Sequence, residues 1–65
     1  MDELKLADYL LKKNRERQKE IGEILITGGA KDFVQYREFV GELRGLTFVA
    51  QEIQASLKNF EKIDQ

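Results

Sequence analysis

The sequence predicts an all-α fold, in which residues 1–65 form a single domain, an antiparallel hairpin of two helices. Apolar residues recur at alternating spacings of three and four along two long segments, which is the periodicity of amphipathic helices. The chain contains no proline, the residue that most strongly interrupts a helix. Adjacent glycines, Gly28 and Gly29, separate the two segments, and a short connection makes consecutive helices antiparallel neighbours.

The first helix is predicted over about residues 2–27 and is followed by a turn over residues 28–31. Asp2 and Glu3 place negative charge at the helix start, where the helix dipole favours it. Gly28 can adopt the left-handed conformation that ends a helix. The inward seam has the heptad spacing of a coiled coil and consists of Leu4, Ala7, Leu11, Asn14, Gln18, Ile21 and Leu25. This seam is broadened at its two ends by Leu6, Leu10 and Ile24.

Two polar residues, Asn14 and Gln18, occupy seam positions in the middle of the first helix. A buried Asn can fix the register and oligomeric state of packed helices, at a cost in stability. Alternatively, the seam opens at this point and both side chains lie in water. The sequence leaves these two alternatives open.

The second helix is predicted over about residues 32–63. Asp32 is a natural N-cap, and Gln35 three residues later completes the pattern of a capping box. The unbroken apolar seam consists of Tyr36, Phe39, Leu43, Leu46, Ala50, Ile53, Leu57 and Phe60. Further apolar residues lie beside or opposite this seam, namely Phe33, Val40, Phe48, Val49 and Ile63. The apolar surface is therefore wider than one neighbouring helix can cover.

Apolar surface left over from the helix pairing predicts contacts with further protein. A domain of about 60 residues buries only about 60% of the surface of its unfolded chain, so small domains often need a partner to be stable. Exposed contiguous apolar patches usually mark interfaces. We therefore expect the hairpin to complete a helical bundle, either by oligomerising or by docking on a larger assembly. The residues predicted to bind the partner are Tyr36, Phe39, Val40, Gly41, Gly45, Phe48 and Val49.

Gly41 and Gly45 lie one turn apart on one face of the second helix. Each glycine in a helix interior costs about 1 kcal/mol relative to alanine, so the pair needs a reason. Small residues four apart allow another backbone to approach closely. The pattern favours a close crossing with the first helix or with a partner subunit, and the alternative is a pair of tolerated flexible positions.

Residues 12–19 carry five positive charges and one negative charge. Because the run is helical, its charges spread round the cylinder, and no interleaved aromatic residue is available to stack on bases. The pattern favours a solvated face with ion pairs to glutamates of the second helix. Contact with nucleic acid is the less favoured alternative, and it would involve Lys12, Lys13, Arg15, Arg17 and Lys19.

The composition argues against an enzyme, and we predict no catalytic residues, no metal ligands and no cofactor. The chain has no His and no Cys, and its one Ser, Ser56, has no base for a catalytic triad. The formal net charge of -1 gives no general attraction to nucleic acid or membrane, and no apolar run is long enough to span a bilayer. Asp2 and Glu3 follow Met1 without the basic and apolar regions of a signal peptide, so secretion by that route is not expected.

Residues 36–46 combine a Tyr, two glycines four apart and a Leu, and they resemble a pattern in short helical proteins encoded among the structural genes of tailed bacteriophages. The positions that carry the resemblance are Tyr36, Gly41, Gly45 and Leu46. The resemblance implies a small multi-copy virion or assembly component, located in the virion or the host cytoplasm, that packs on capsid, portal or other structural subunits. Two other functions stay open: a regulatory four-helix-bundle dimer that binds nucleic acid, and an inhibitor or adaptor of a host protein.

Overall fold

The computed structural model describes residues 2–63, which form two helices, α1 (Glu3–Ile26) and α2 (Phe33–Ile63). Side chains are described for residues 2–59. The predicted all-α fold is confirmed, and the predicted helix ends lie within one residue of the observed ones.

The two helices lie side by side in a hairpin that measures 50 × 17 × 16 Å. Their contacts run in opposite directions along the chain: Asn14 of α1 reaches Leu46 of α2, whereas Arg17, one turn later, reaches Glu42. The contact positions in α2 move toward its N-terminus as those in α1 move toward its C-terminus, so the two helices are antiparallel.

α1 begins directly after Asp2, whose backbone is extended and whose carboxylate accepts a hydrogen bond from the Leu4 N–H at 2.9 Å. The backbone carbonyl of Asp2 accepts from the Leu6 N–H at 3.1 Å. The carboxylate thereby satisfies one of the backbone donors that the first helical turn leaves without a partner. The negative charge predicted at the helix start thus acts as its N-cap.

A Schellman motif ends α1 and begins the turn. Gly28 has a φ angle of 73°, and its N–H donates to the Leu25 carbonyl at 3.4 Å. The Gly29 N–H donates to the Ile24 carbonyl at 2.7 Å. A Cβ added at Gly29 would lie 3.0 Å from Cγ2 of Ile24. The adjacent glycines therefore have separate roles, Gly28 in backbone conformation and Gly29 in close packing.

α2 begins with the predicted capping box. The Asp32 carboxylate accepts a hydrogen bond from the Gln35 N–H at 2.8 Å. In the opposite direction, Oε1 of Gln35 accepts a hydrogen bond at 2.7 Å from the N–H of Lys31, the residue before the cap. Local hydrogen bonds therefore determine both ends of the connection between the helices.

The interior of the hairpin is a single line of contact between the two helices. Among the side chains that the structure describes, the buried apolar ones are those of Leu11, Ile21 and Ala50. Most other seam residues are half-buried, and Leu4 and Tyr36, at the ends of the two seams, are exposed. The predicted positions Phe60 and Ile63 lie outside the described side chains. Burial is confined to the centre line because each helix covers only one side of the other.

Alanine at Gly28 and alanine at Gly22 are expected to have opposite effects on stability. Gly28→Ala forces a side chain into the left-handed region and lowers the free energy of unfolding by about 1 kcal/mol. Gly22 lies within α1 with no neighbouring side chain within 4 Å of an added Cβ, so Gly22→Ala raises the free energy of unfolding by up to about 1 kcal/mol. Urea unfolding followed by circular dichroism measures both changes, and destabilisation of equal size at both positions would contradict the specific role of Gly28.

Candidate protein-interaction surface

Large apolar side chains remain exposed along much of the hairpin. They belong to Leu4, Leu6, Tyr9, Leu10, Ile26, Phe33, Val34, Tyr36, Phe48 and Val49. A single exposed apolar residue is ordinary on a protein surface, but contiguous patches usually mark contact sites. Most of these side chains gather into two patches, one on α2 alone and one between the two helices.

The first patch, here called the outer α2 face, consists of Phe33, Val34, Gly41, Gly45 and Phe48. All five residues are exposed, Phe33 at 70% and Phe48 at 62%. They recur along one side of α2 at helical spacing, so a straight partner helix or a flat subunit surface can contact them together. The face combines large apolar side chains with two positions that have no side chain at all.

The outer α2 face contains a hollow near the turn, with a volume of about 350 Å³, here called the aromatic hollow. Its lining residues are Phe33, Tyr36, Arg37, Val40, Gly41 and Arg44. The rings of Phe33 and Tyr36 stack with their centroids 6.3 Å apart and their planes 18° from parallel. The ion pairs among the described side chains do not include Arg37 or Arg44. The hollow therefore joins an apolar floor to two positive charges.

The predicted close crossing of Gly41 and Gly45 with the first helix is wrong. Both residues are exposed, and a Cβ added at either one would meet nothing within 4 Å. The rotation of α2 instead turns the half-buried Phe39 toward α1, so Phe39 belongs to the seam and not to an open surface. Val40 is also half-buried, and it lines the aromatic hollow. A close crossing with a partner subunit stays a prediction.

The second patch, here called the open-end groove, lies between the helices at the end opposite the turn and has a volume of about 360 Å³. Its central apolar residues are Leu6 and Leu10 of α1 and Val49 and Ile53 of α2. Leu10 is 45% exposed and Val49 is 47% exposed. Two carboxylates, Glu3 and Glu52, also line the groove. Because both helices contribute, this patch exists only in the folded hairpin.

The structure separates two sequence neighbours that were predicted to act together. Phe48 lies on the outer α2 face, whereas Val49 lines the open-end groove. Sequence reasoning did not include Leu6 and Leu10 among the binding residues. Their spacing of four, parallel to the seam, was the signal that a second apolar stripe begins at this end of α1.

The structure decides between the two alternatives for the polar seam residues. Asn14 is buried, and its Nδ2 donates a hydrogen bond to the backbone carbonyl of Leu46 in α2 at 2.9 Å. Gln18 is half-buried, and its Nε2 donates to Oδ1 of Asn14 at 2.6 Å. The seam therefore stays closed at this level, and a directional contact joins one position of α1 to one position of α2.

A second directional contact lies one turn from the first. Arg17 donates from Nε and from one terminal nitrogen to the two carboxylate oxygens of Glu42, at 2.6 and 3.1 Å, and from the other terminal nitrogen to Glu20 at 3.1 Å. The hydrogen bond from Arg17 holds the pKa of Glu42 below its usual value and raises the pKa of Arg17. Since both side chains are partly exposed, the pair adds little stability in salt. Its contribution is present at neutral pH and is lost as the pH falls through the lowered pKa of Glu42.

The remaining basic residues of the run 12–19 do not join into an uninterrupted basic surface. Nζ of Lys13 lies 3.5 Å from the Glu16 carboxylate and 5.6 Å from the centre of the Tyr9 ring. Asp8 and Glu16 share a shallow concavity of α1 with the exposed residues Lys12, Arg15 and Lys19. The predicted ion pair with a glutamate of the second helix is confirmed at Arg17, and contact with nucleic acid stays a prediction.

Comparison with protein-family models, with curated proteins and with solved structures gives no match. Among the side chains of residues 2–59, no three acidic, His or Cys groups gather into a set able to hold a metal ion. No stretch of the described helices has the length and hydropathy of a membrane span.

Substitutions at Asn14 are expected to separate the contribution of its hydrogen bond from the effect of burying an apolar side chain at the same position. Asn14→Ala removes the hydrogen bond to Leu46 and lowers the free energy of unfolding by about 1 kcal/mol. Asn14→Leu loses the same bond but buries a leucine, worth about 1.5–3 kcal/mol, and therefore leaves the stability at or above that of the native chain. Denaturant titration measures both variants, and a leucine variant as unstable as the alanine variant would contradict this account.

Alanine at Gly41 and at Gly45 is expected to stabilise the isolated hairpin. No neighbour lies within 4 Å of an added Cβ, so each substitution gains helix propensity without a clash and raises the free energy of unfolding by up to about 1 kcal/mol. Thermal unfolding of the purified single and double variants measures the change. A loss of stability in either variant would show that the hairpin itself needs the glycine.

Proposed function

We propose that this chain is a non-enzymatic interaction protein that docks its outer α2 face on another protein subunit. The observation that carries the proposal is the exposure of Phe33 and Phe48 on the same face as Gly41 and Gly45. Aromatic residues are enriched at the centres of protein interfaces, and contiguous exposed apolar surface is costly in water.

The two glycines support docking because they weaken the free hairpin without a contact in return. Each costs about 1 kcal/mol relative to alanine, and, apart from its chain neighbours and the backbone of its own helix, no atom of the part of the chain that the structure describes lies within 4 Å of a Cβ added there. That space admits the backbone or a side chain of another subunit. A partner that packs in this space buries apolar surface, and that burial offsets the stability that the two glycines cost the isolated helix.

The aromatic hollow indicates the chemistry of the partner. Phe33, Tyr36 and Gly41 offer an apolar floor, while Arg37 and Arg44 place two positive charges beside it. Complementary charge speeds association and disfavours wrong partners. We therefore expect the docked segment to carry an apolar side chain flanked by Asp or Glu.

The resemblance of residues 36–46 to short helical proteins of tailed bacteriophages adds a finer part to the same proposal. In this form the chain is a small multi-copy component of the virion or of its assembly, and its partner is a capsid, portal or other structural subunit. The protein then acts in the virion or in the host cytoplasm. Gly41 and Gly45 belong both to the resemblance and to the outer α2 face.

A photoreactive amino acid in place of Phe48 tests the proposal in the native cell. It is expected to cross-link the chain to one discrete protein, at a segment with an apolar residue flanked by acidic residues, as identified by mass spectrometry. Gly41→Leu fills the space needed for close approach and is expected to reduce the cross-linked yield at least about tenfold, the equivalent of about 1.4 kcal/mol.

The matched control carries the photoreactive residue in place of Lys19, which is exposed on α1. It is expected to give no discrete product. Equal labelling from both positions, or a yield that Gly41→Leu leaves unchanged, would count against docking through the outer α2 face.

A further inference from the structure

We propose that the open-end groove binds a second copy of this chain, so that two hairpins form a four-helix dimer whose two-fold axis runs parallel to the helices. This inference shares one premise with the proposed function, namely that other protein covers the exposed apolar surface of the helices. It concerns a different patch. Self-association through the groove leaves the outer α2 face free for the other subunit.

The exposed area of the single hairpin is too large for a protein of its mass. The chain has 5423 Å² of accessible surface at 7.6 kDa. A compact monomer of that mass has about 4,300 Å² by the usual scaling of surface with mass. The excess of about 1,100 Å² is more than the roughly 800 Å² that each partner buries in a stable interface of standard size. One interface of standard size between two hairpins would therefore remove most of this excess.

Both helices contribute apolar residues to the open-end groove. Leu6 and Leu10 line it from α1, and Val49 and Ile53 line it from α2, so a layer of two helices placed over the groove contacts both sides at once. Two side-by-side helices make one layer, and small helical domains are completed by a second layer. A second hairpin supplies that layer with its own groove residues, which are equally exposed.

The register of the hairpin selects the orientation of the second copy. Asn14 is level with Leu46 and Arg17 is level with Glu42, so Leu10 is level with Val49 and Leu6 with Ile53. A two-fold axis parallel to the helices places α1 of each copy against α2 of the other over their full length. Leu10 of one copy then packs against Val49 of the second copy.

The charges of the groove bear on the same choice. Glu3 lines the groove from α1 and Glu52 lines it from α2. With the parallel axis, the register offsets Glu3 of one copy from Glu52 of the other by about one helical turn. A perpendicular two-fold axis would stack α2 on α2, bring Glu52 close to Glu52 of the second copy, and leave the turn ends without overlap.

Sedimentation equilibrium over a dilution series tests the dimer. The native chain is expected to have twice the mass of 7.6 kDa, and Val49→Glu is expected to halve that mass while the helical circular dichroism signal persists. Phe48→Glu is the matched control, since it places the same charge at the neighbouring residue on the outer α2 face, and it is expected to remain dimeric. A monomeric native chain, a dimeric Val49→Glu variant or a monomeric Phe48→Glu variant would each overturn the proposal.

Disulfide trapping tests the orientation. The native chain contains no cysteine, so one introduced cysteine per chain is the only thiol that can form the link. A chain with Leu10→Cys mixed with a chain with Val49→Cys is expected to form a disulfide-linked pair faster than either chain links to itself. Faster self-linkage of Leu10→Cys would overturn the parallel axis, and the absence of any linkage would overturn the groove contact. Failure of the docking proposal appears separately, as loss of cross-linking through Phe48 with the dimer intact.

Discussion

Two helices packed side by side can bury only one strip of each other, and this geometric limit governs the rest of the molecule. Leu11, Ile21 and Ala50 lie on that strip and are buried, while their seam neighbours keep partial contact with water. A third or fourth helix is what ordinarily closes such an interior. The exposed apolar patches are therefore the surface that a layer of one hairpin has no means of covering.

Directional contacts determine how the two helices are aligned. Apolar contacts between helices tolerate sliding, because burial depends on area more than on exact position. The hydrogen bond from Asn14 to the Leu46 carbonyl and the ion pair of Arg17 with Glu42 do not tolerate it, since each joins one atom group to one partner. Both lie near the middle of the hairpin. The polar middle thereby holds in register the two apolar walls that meet at the open end.

The parts of this structure that could be predicted from sequence are those whose causes are local. Asp2, Gly28 and the Asp32–Gln35 pair act on backbone groups within a few residues, so their patterns identify the helix ends. Whether Asn14 is buried depends on its hydrogen bond to a carbonyl 32 residues away, and the spacing of apolar residues gives no information about that contact.

The same limit explains the errors in the predicted surface. The spacing of Gly41 and Gly45 placed both on one face of a helix, but only the rotation of α2 about its axis decides whether that face meets α1. Two uncompensated glycines and a narrow core lower the stability of the isolated hairpin. Any association that requires the folded hairpin would therefore be thermodynamically linked to folding. Any subunit that binds only the folded hairpin raises its stability in proportion to the logarithm of the subunit concentration relative to the dissociation constant. Residues that lower the stability of the free chain, such as these glycines, can therefore be retained when the assembled state supplies the missing burial.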